Sequence, residues 1–84
     1  MDERFVAAMA ALVALLSINR LVIRSIAACR LYWALAAANV GAMAAVLLAG
    51  LPGLDVPVAR YVVAGLLALH LVENAVIRSA ALRR

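Results

Sequence analysis

The sequence predicts an all-α, three-span membrane protein oriented N-out and C-in, on three observations. Apolar side chains make up 70% of the 84 residues. They fall into three runs, roughly 5–18, 31–51 and 58–77, with the charges almost confined to the run ends. Third, the arginines are distributed unequally between the two sides that such runs would define. A bilayer core is crossed by about 20 mostly apolar helical residues, so the second and third runs qualify directly and the first needs help from its neighbours. Strands are excluded because three of them cannot close a barrel, and an open sheet would leave backbone groups unpaired in lipid.

The expected elements follow from the end signals. Helix 1 is expected over about 3–28, because the basic stretch 20–30 contains neither Gly nor Pro to stop it and long Arg side chains can reach the interface. Helix 2 is expected over about 31–51, ending at the Gly50-Leu51-Pro52-Gly53 breaker. Helix 3 is expected over about 57–82, with Asp55 as N-cap and Pro57 in the first turn. Residues 1–84 then make one membrane domain, with no room for a soluble one. No cleaved signal peptide is expected, since the start is Asp2-Glu3-Arg4 and the first apolar run has no small-residue exit.

Orientation comes from counting arginines. Arg20, Arg24, Arg30, Arg78, Arg83 and Arg84 belong to one side, and Arg4 and Arg60 to the other. The positive-inside rule puts the larger set in the cytoplasm, which gives a multi-pass protein of the bacterial inner membrane. Tyr32-Trp33 and Phe5 with Tyr61 fall at the two interfacial levels where amphipathic rings settle. Eight Arg against four acids does not imply nucleic acid, because the basic residues flank apolar helices. Anionic lipids and larger membrane-protein subunits are the expected counterparts, met by Arg24, Arg30, Arg78, Arg83 and Arg84.

Residues 12–30 align with 66–84, with nine of nineteen identical, including a contiguous Val-Ile-Arg-Ser at 22–25 and 76–79. With one helix between them, helices 1 and 3 run the same way, so the two motifs are expected at one depth. That alignment brings Arg20 and Glu73 to similar depth, and an ion pair between them is expected.

Within helix 2, Ala37, Gly41 and Ala45 form a small-xxx-small ridge suited to close helix contact, with Asn39 expected to hydrogen-bond across the same protein-covered face. On helix 3, His70, Glu73 and Asn74 share a face by their i, i+3, i+4 spacing. His70 is the one candidate cofactor ligand, for haem or bacteriochlorophyll through a neutral ring nitrogen, although Leu66 stands where a small residue would make room for a ring. No cofactor is expected outright, and no metal site, since one His, one Glu and a distant Cys29 fall short of three or four ligands. Cys29 is expected to be an inert small residue.

Enzyme motifs are absent: no phosphate-cradling Gly loop, no nucleophile beside a base, no H-E-x-x-H. The sequence therefore points to a non-catalytic accessory subunit of a larger complex, respiratory or photosynthetic. A holin-like or pore-forming homo-oligomer and a His70-carried cofactor are the alternatives.

Overall fold

In the computed structural model the described residues are 3–53 and 56–83. They form three α-helices: α1 (Glu3–Ile26), α2 (Leu31–Ala49) and α3 (Pro57–Leu82). At 1.5 Å per residue these are about 36, 29 and 39 Å long, and each is long and apolar enough to cross a membrane. Asp55 and Arg84 lie outside the described residues. The N-cap position of α3 is Val56, which makes no side-chain cap bond, and Pro57 opens the helix where a missing N–H costs nothing.

Helix α1 ends at Ile26, two residues before the expected end at 28 and well short of a continuous helix through 30. The reversal uses no Gly or Pro. It is made of tight turns in which Cys29 N–H donates to Ile26 O (2.9 Å), Tyr32 N–H to Cys29 O (3.1 Å) and Trp33 N–H to Arg30 O (3.1 Å). A distant side chain also holds this turn: Arg78 Nη1 donates to Ala27 O at 2.9 Å and to Cys29 O at 3.5 Å. The other reversal behaves as its composition predicts. Gly50 ends α2 with φ 75° and ψ −171°, a region open essentially to Gly alone, and its N–H closes on Val46 O.

The inward faces repeat every seven residues. Phe5, Leu12, Asn19 and Ile26 on α1, Tyr32, Asn39 and Val46 on α2, and Arg60, Leu67, Asn74 and Ala81 on α3 are all buried or half-buried. The interleaved positions Met9, Leu16 and Ile23, Leu35 and Ala42, and Ala64, Leu71 and Arg78 are covered likewise. This 3.5-residue period is that of left-handed helix packing. Helices α2 and α3 are the most closely packed pair.

The packing is inverted relative to a water-soluble bundle. Asn39 is 0% exposed while Leu48 is 86% and Leu21 80% exposed. Soluble proteins rarely leave such apolar surfaces contiguous, and in lipid this arrangement carries no penalty. Among the described residues a cluster of buried large apolar side chains, Ile23, Tyr32 and Leu35 with Ile77 and Val22 against it, sits near the arginine-rich end.

Candidate functional site

Each helix contributes one asparagine to the same layer of the bundle. Asn19, Asn39 and Asn74 are 2%, 0% and 2% exposed, the most deeply buried polar groups among the described residues. Asn19 is the hub. Its Nδ2 donates to Asn74 Oδ1 at 3.1 Å, and its Oδ1 accepts from both Asn74 Nδ2 and Asn39 Nδ2, the latter at 3.3 Å. Asn39 Oδ1 has no partner. Amides at such positions fix helix register, because sliding a helix by one residue would strand them in an apolar medium.

Above this layer, toward the arginine-rich end, Arg78 joins all three helices. Besides its bonds to the carbonyls after α1, its guanidinium stacks 4.7 Å from the Tyr32 ring centroid and 5.0 Å from that of Trp33. The two rings meet edge to face at 5.1 Å. At the other end of α3, Arg60 Nη1 donates to Leu47 O at 3.3 Å. A cation from α3 therefore meets carbonyls of the turn just after α1 and a carbonyl in the last turn of α2, at the ends where the helix dipole favours positive charge.

Several expectations change. Arg78, expected at a lipid or partner contact, is instead a half-buried internal clamp; as an α3 inward-face residue it points into the bundle rather than around its rim. Arg20 and Glu73 line one groove, yet no ion pair within 4.0 Å joins them. The neighbouring Asn19–Asn74 pair makes the helix contact instead, which sets the register at an offset of 55 rather than the 54 of the sequence repeat. Ala37, Gly41 and Ala45 are exposed, and a Cβ added at Gly41 would meet nothing within 4 Å. Asn39 lies on the opposite face of α2, because two residues along a helix turn it by about 200°. Arg24, Arg30 and Arg83 remain exposed, with Arg83 bonded to Ser79 O (3.2 Å) and Ser79 Oγ (3.1 Å) on its own helix.

A hollow of about 610 Å³ opens between α1 and α3 beside the asparagine layer and is lined by Asn19, Arg20, Ile23, Arg24, His70, Glu73, Asn74 and Ile77. His70 Nδ1 lies 2.9 Å from Leu66 O. Since a carbonyl oxygen only accepts, Nδ1 is the donor in this contact. Among the described residues no group of three or more His, Cys, Asp or Glu could hold a metal ion.

Asn19 and Arg20 are adjacent on α1 and both line this groove. The sequence offered a signal for the first: Asn19 lies seven residues after Leu12 and before Ile26, on the same stripe as its counterparts at 39 and 74. The class defined by this fold and site is a small all-helical protein with three helices able to cross a membrane. No protein-family model matches the chain, and no curated protein or solved structure does either.

Proposed function

We propose that this chain is a non-catalytic accessory subunit that packs against a larger assembly in a bacterial inner membrane, with its arginine-rich end in the cytoplasm. The observation that carries this reading is the outer face of α2. There Ala34, Ala37, Ala38, Gly41, Ala44 and Ala45 are exposed beside Val40 and Leu48; α1 exposes a shorter small-residue stripe at Ala7, Ala10, Ala11 and Ala14, and α3 presents mainly Val62, Leu69 and Val72. Lipid chains do not require a smooth helix face, but another helix backbone does, because van der Waals packing drives helix association in a bilayer. Unequal arginine ends support the orientation.

The test is purification in mild detergent from the native membrane, comparing the natural sequence with Gly41→Ile. The added side chain enters open space, so the variant keeps its helical content and its own stability. Larger subunits should co-migrate with the natural protein and be lost with the variant. Homo-oligomers alone would replace this reading with the pore-forming one. Visible absorbance that disappears in His70→Leu would replace it with a cofactor carrier, a role less well served by a groove whose walls hold Arg20, Arg24 and Glu73.

A further inference from the structure

The bonds between Asn19 and Asn74 fix the level at which α1 meets α3. In that register Arg20 stands one residue on the surface side of Asn19 and Glu73 one residue on the deep side of Asn74, so their Cα levels differ by about 3 Å. Arg20 is about 9 Å below the end of α1 at Ile26, and Glu73 about 13–14 Å below the end of α3 at Leu82. Both are exposed, and among the described residues neither side chain has a hydrogen bond or an ion pair. Their Cα–Cβ bonds lean toward the helix N-termini, away from the arginine-rich surface, which makes headgroup water hard to reach, above all for the shorter glutamate. An isolated charge at such a depth in a span is costly. One cation and one anion thus stand at nearly one level, each without a counter-charge among the described residues.

Their positions around the helices indicate where counter-charges can come from. Arg20 follows Asn19 of the inward stripe and Glu73 precedes Asn74, so they flank the α1–α3 contact as e and g residues flank a coiled-coil seam, where such charges choose the partner. Between them lies the groove of about 610 Å³, and it opens away from α2, because in a bundle of three mutually packed helices each seam faces away from the third. A twofold axis parallel to the helices and in front of this groove leaves every depth unchanged and brings α1 of one copy opposite α3 of the other. Arg20 then meets Glu73 of the second copy, and Glu73 meets its Arg20. Arg24 lies one turn nearer the surface, within reach of lipid phosphate, and needs no further acid. We propose that the α1–α3 seam is a self-association surface through which two copies of this chain pair in parallel, joined by reciprocal Arg20–Glu73 ion pairs. A basic or an acidic partner helix would neutralise only one of the two charges, whereas a second copy supplies both, as an isologous contact does. No wet path results, since the seam toward the Pro-Gly turn is apolar, with Leu12, Val13 and Leu16 facing Val63 and Leu66. The pairing rests on residence in a membrane and leaves the outer face of α2 free for a larger subunit.

Cys29 is the chain's one cysteine and is exposed, so donor and acceptor dyes placed on it report pairing by energy transfer in vesicles of phosphatidylcholine and phosphatidylglycerol as the protein is diluted with lipid. The natural chain should show transfer, and stepwise photobleaching should count two copies. Arg20→Glu alone and Glu73→Arg alone each gather only like charges at the contact, and each should raise the protein density needed for pairing by about tenfold or more. Mixing the two variants should restore transfer between them, because one chain then supplies only carboxylates and the other only guanidiniums. Arg20→Glu combined with Glu73→Arg in one chain should pair with itself, which together with circular dichroism verifies that the reversals fold. A natural chain that stays monomeric at every dilution would overturn the proposal and return the groove to lipid or to a different subunit. Transfer unaffected by either reversal would overturn it too, as would a mixture that stays monomeric, the result expected if the two charges met within one chain. Assemblies larger than two would sink it in favour of pore formation. Each result is read on the isolated chain, so the accessory-subunit reading stands or falls separately.

Discussion

Toward the arginine-rich end, Asn19, Asn39, Asn74 and Arg78 connect all three helices through side-chain bonds, and the main apolar cluster sits among them. Toward the Pro-Gly turn, Arg60 bonds α3 to α2, while clefts of about 140 and 280 Å³ flank α1 on both its neighbours' sides. The two halves are made from similar apolar residues. In lipid, however, apolar contact between helices gains little over contact with acyl chains, so burial alone does not choose one arrangement. Polar groups that have no good partner in hydrocarbon make the choice. The half that contains them is specified, and the other half follows because the helices are continuous.

The comparison would be broken most severely by Asn19→Leu. It removes all three bonds of the asparagine layer and leaves the amides of Asn39 and Asn74 buried without their shared acceptor. At about 0.6–1.7 kcal/mol per interhelical bond, the loss of three should be about 2–5 kcal/mol, measured by equilibrium unfolding in mixed micelles. A loss below about 0.5 kcal/mol would show that the layer does not hold the bundle.

Next in size is Arg78→Leu, which uncovers the carbonyls of Ala27 and Cys29 and removes the guanidinium from two rings. About 1.5–3 kcal/mol should be lost in the same assay. Arg24→Leu, at the matching position of the Val-Ile-Arg-Ser repeat, should change stability by less than about 0.5 kcal/mol, because Arg24 is exposed. Equal effects at the two arginines would mean that the repeat, and not the inward face, determines their roles.

A change smaller than those at Asn19 and Arg78, and confined to one helix end, is expected at the opposite end. Gly50→Ala places a Cβ at φ 75°, 3.1 Å from the Arg60 guanidinium. It should cost about 1–2 kcal/mol and raise the amide exchange rate of the last turn of α2 without affecting the asparagine layer. Exchange that accelerates throughout the bundle would show that the two halves are not separable.

Much of this fold was legible because each element is fixed by local composition. Pro57, the Gly50–Gly53 breaker and the apolar run lengths set the span count and the bounds of α3, and α2 stops at Ala49, two residues before the expected 51. The end of α1 was not legible, since it depends on Arg78, which lies 51 residues from the carbonyl it meets. The candidate site was legible as a set of polar residue types, with Asn39 and Asn74 singled out and Asn19 passed over as part of a repeat. The Arg20–Glu73 pairing failed for the same reason: identity at an offset of 54 reports shared composition, whereas contact is set by which residues reach the inward stripe.

What the chain's composition determined by itself is the medium and the elements, because helix formation and transfer into hydrocarbon are sums over neighbouring residues. Only the tertiary structure decided the register at which α1 meets α3, which arginine turns inward, and that the small-residue face of α2 lies open rather than in the core. Those outcomes depend on a rotation of about 100° per residue around each helix axis. Bonds as few as those of Asn19 and Arg78 settle that rotation once three helices are brought together.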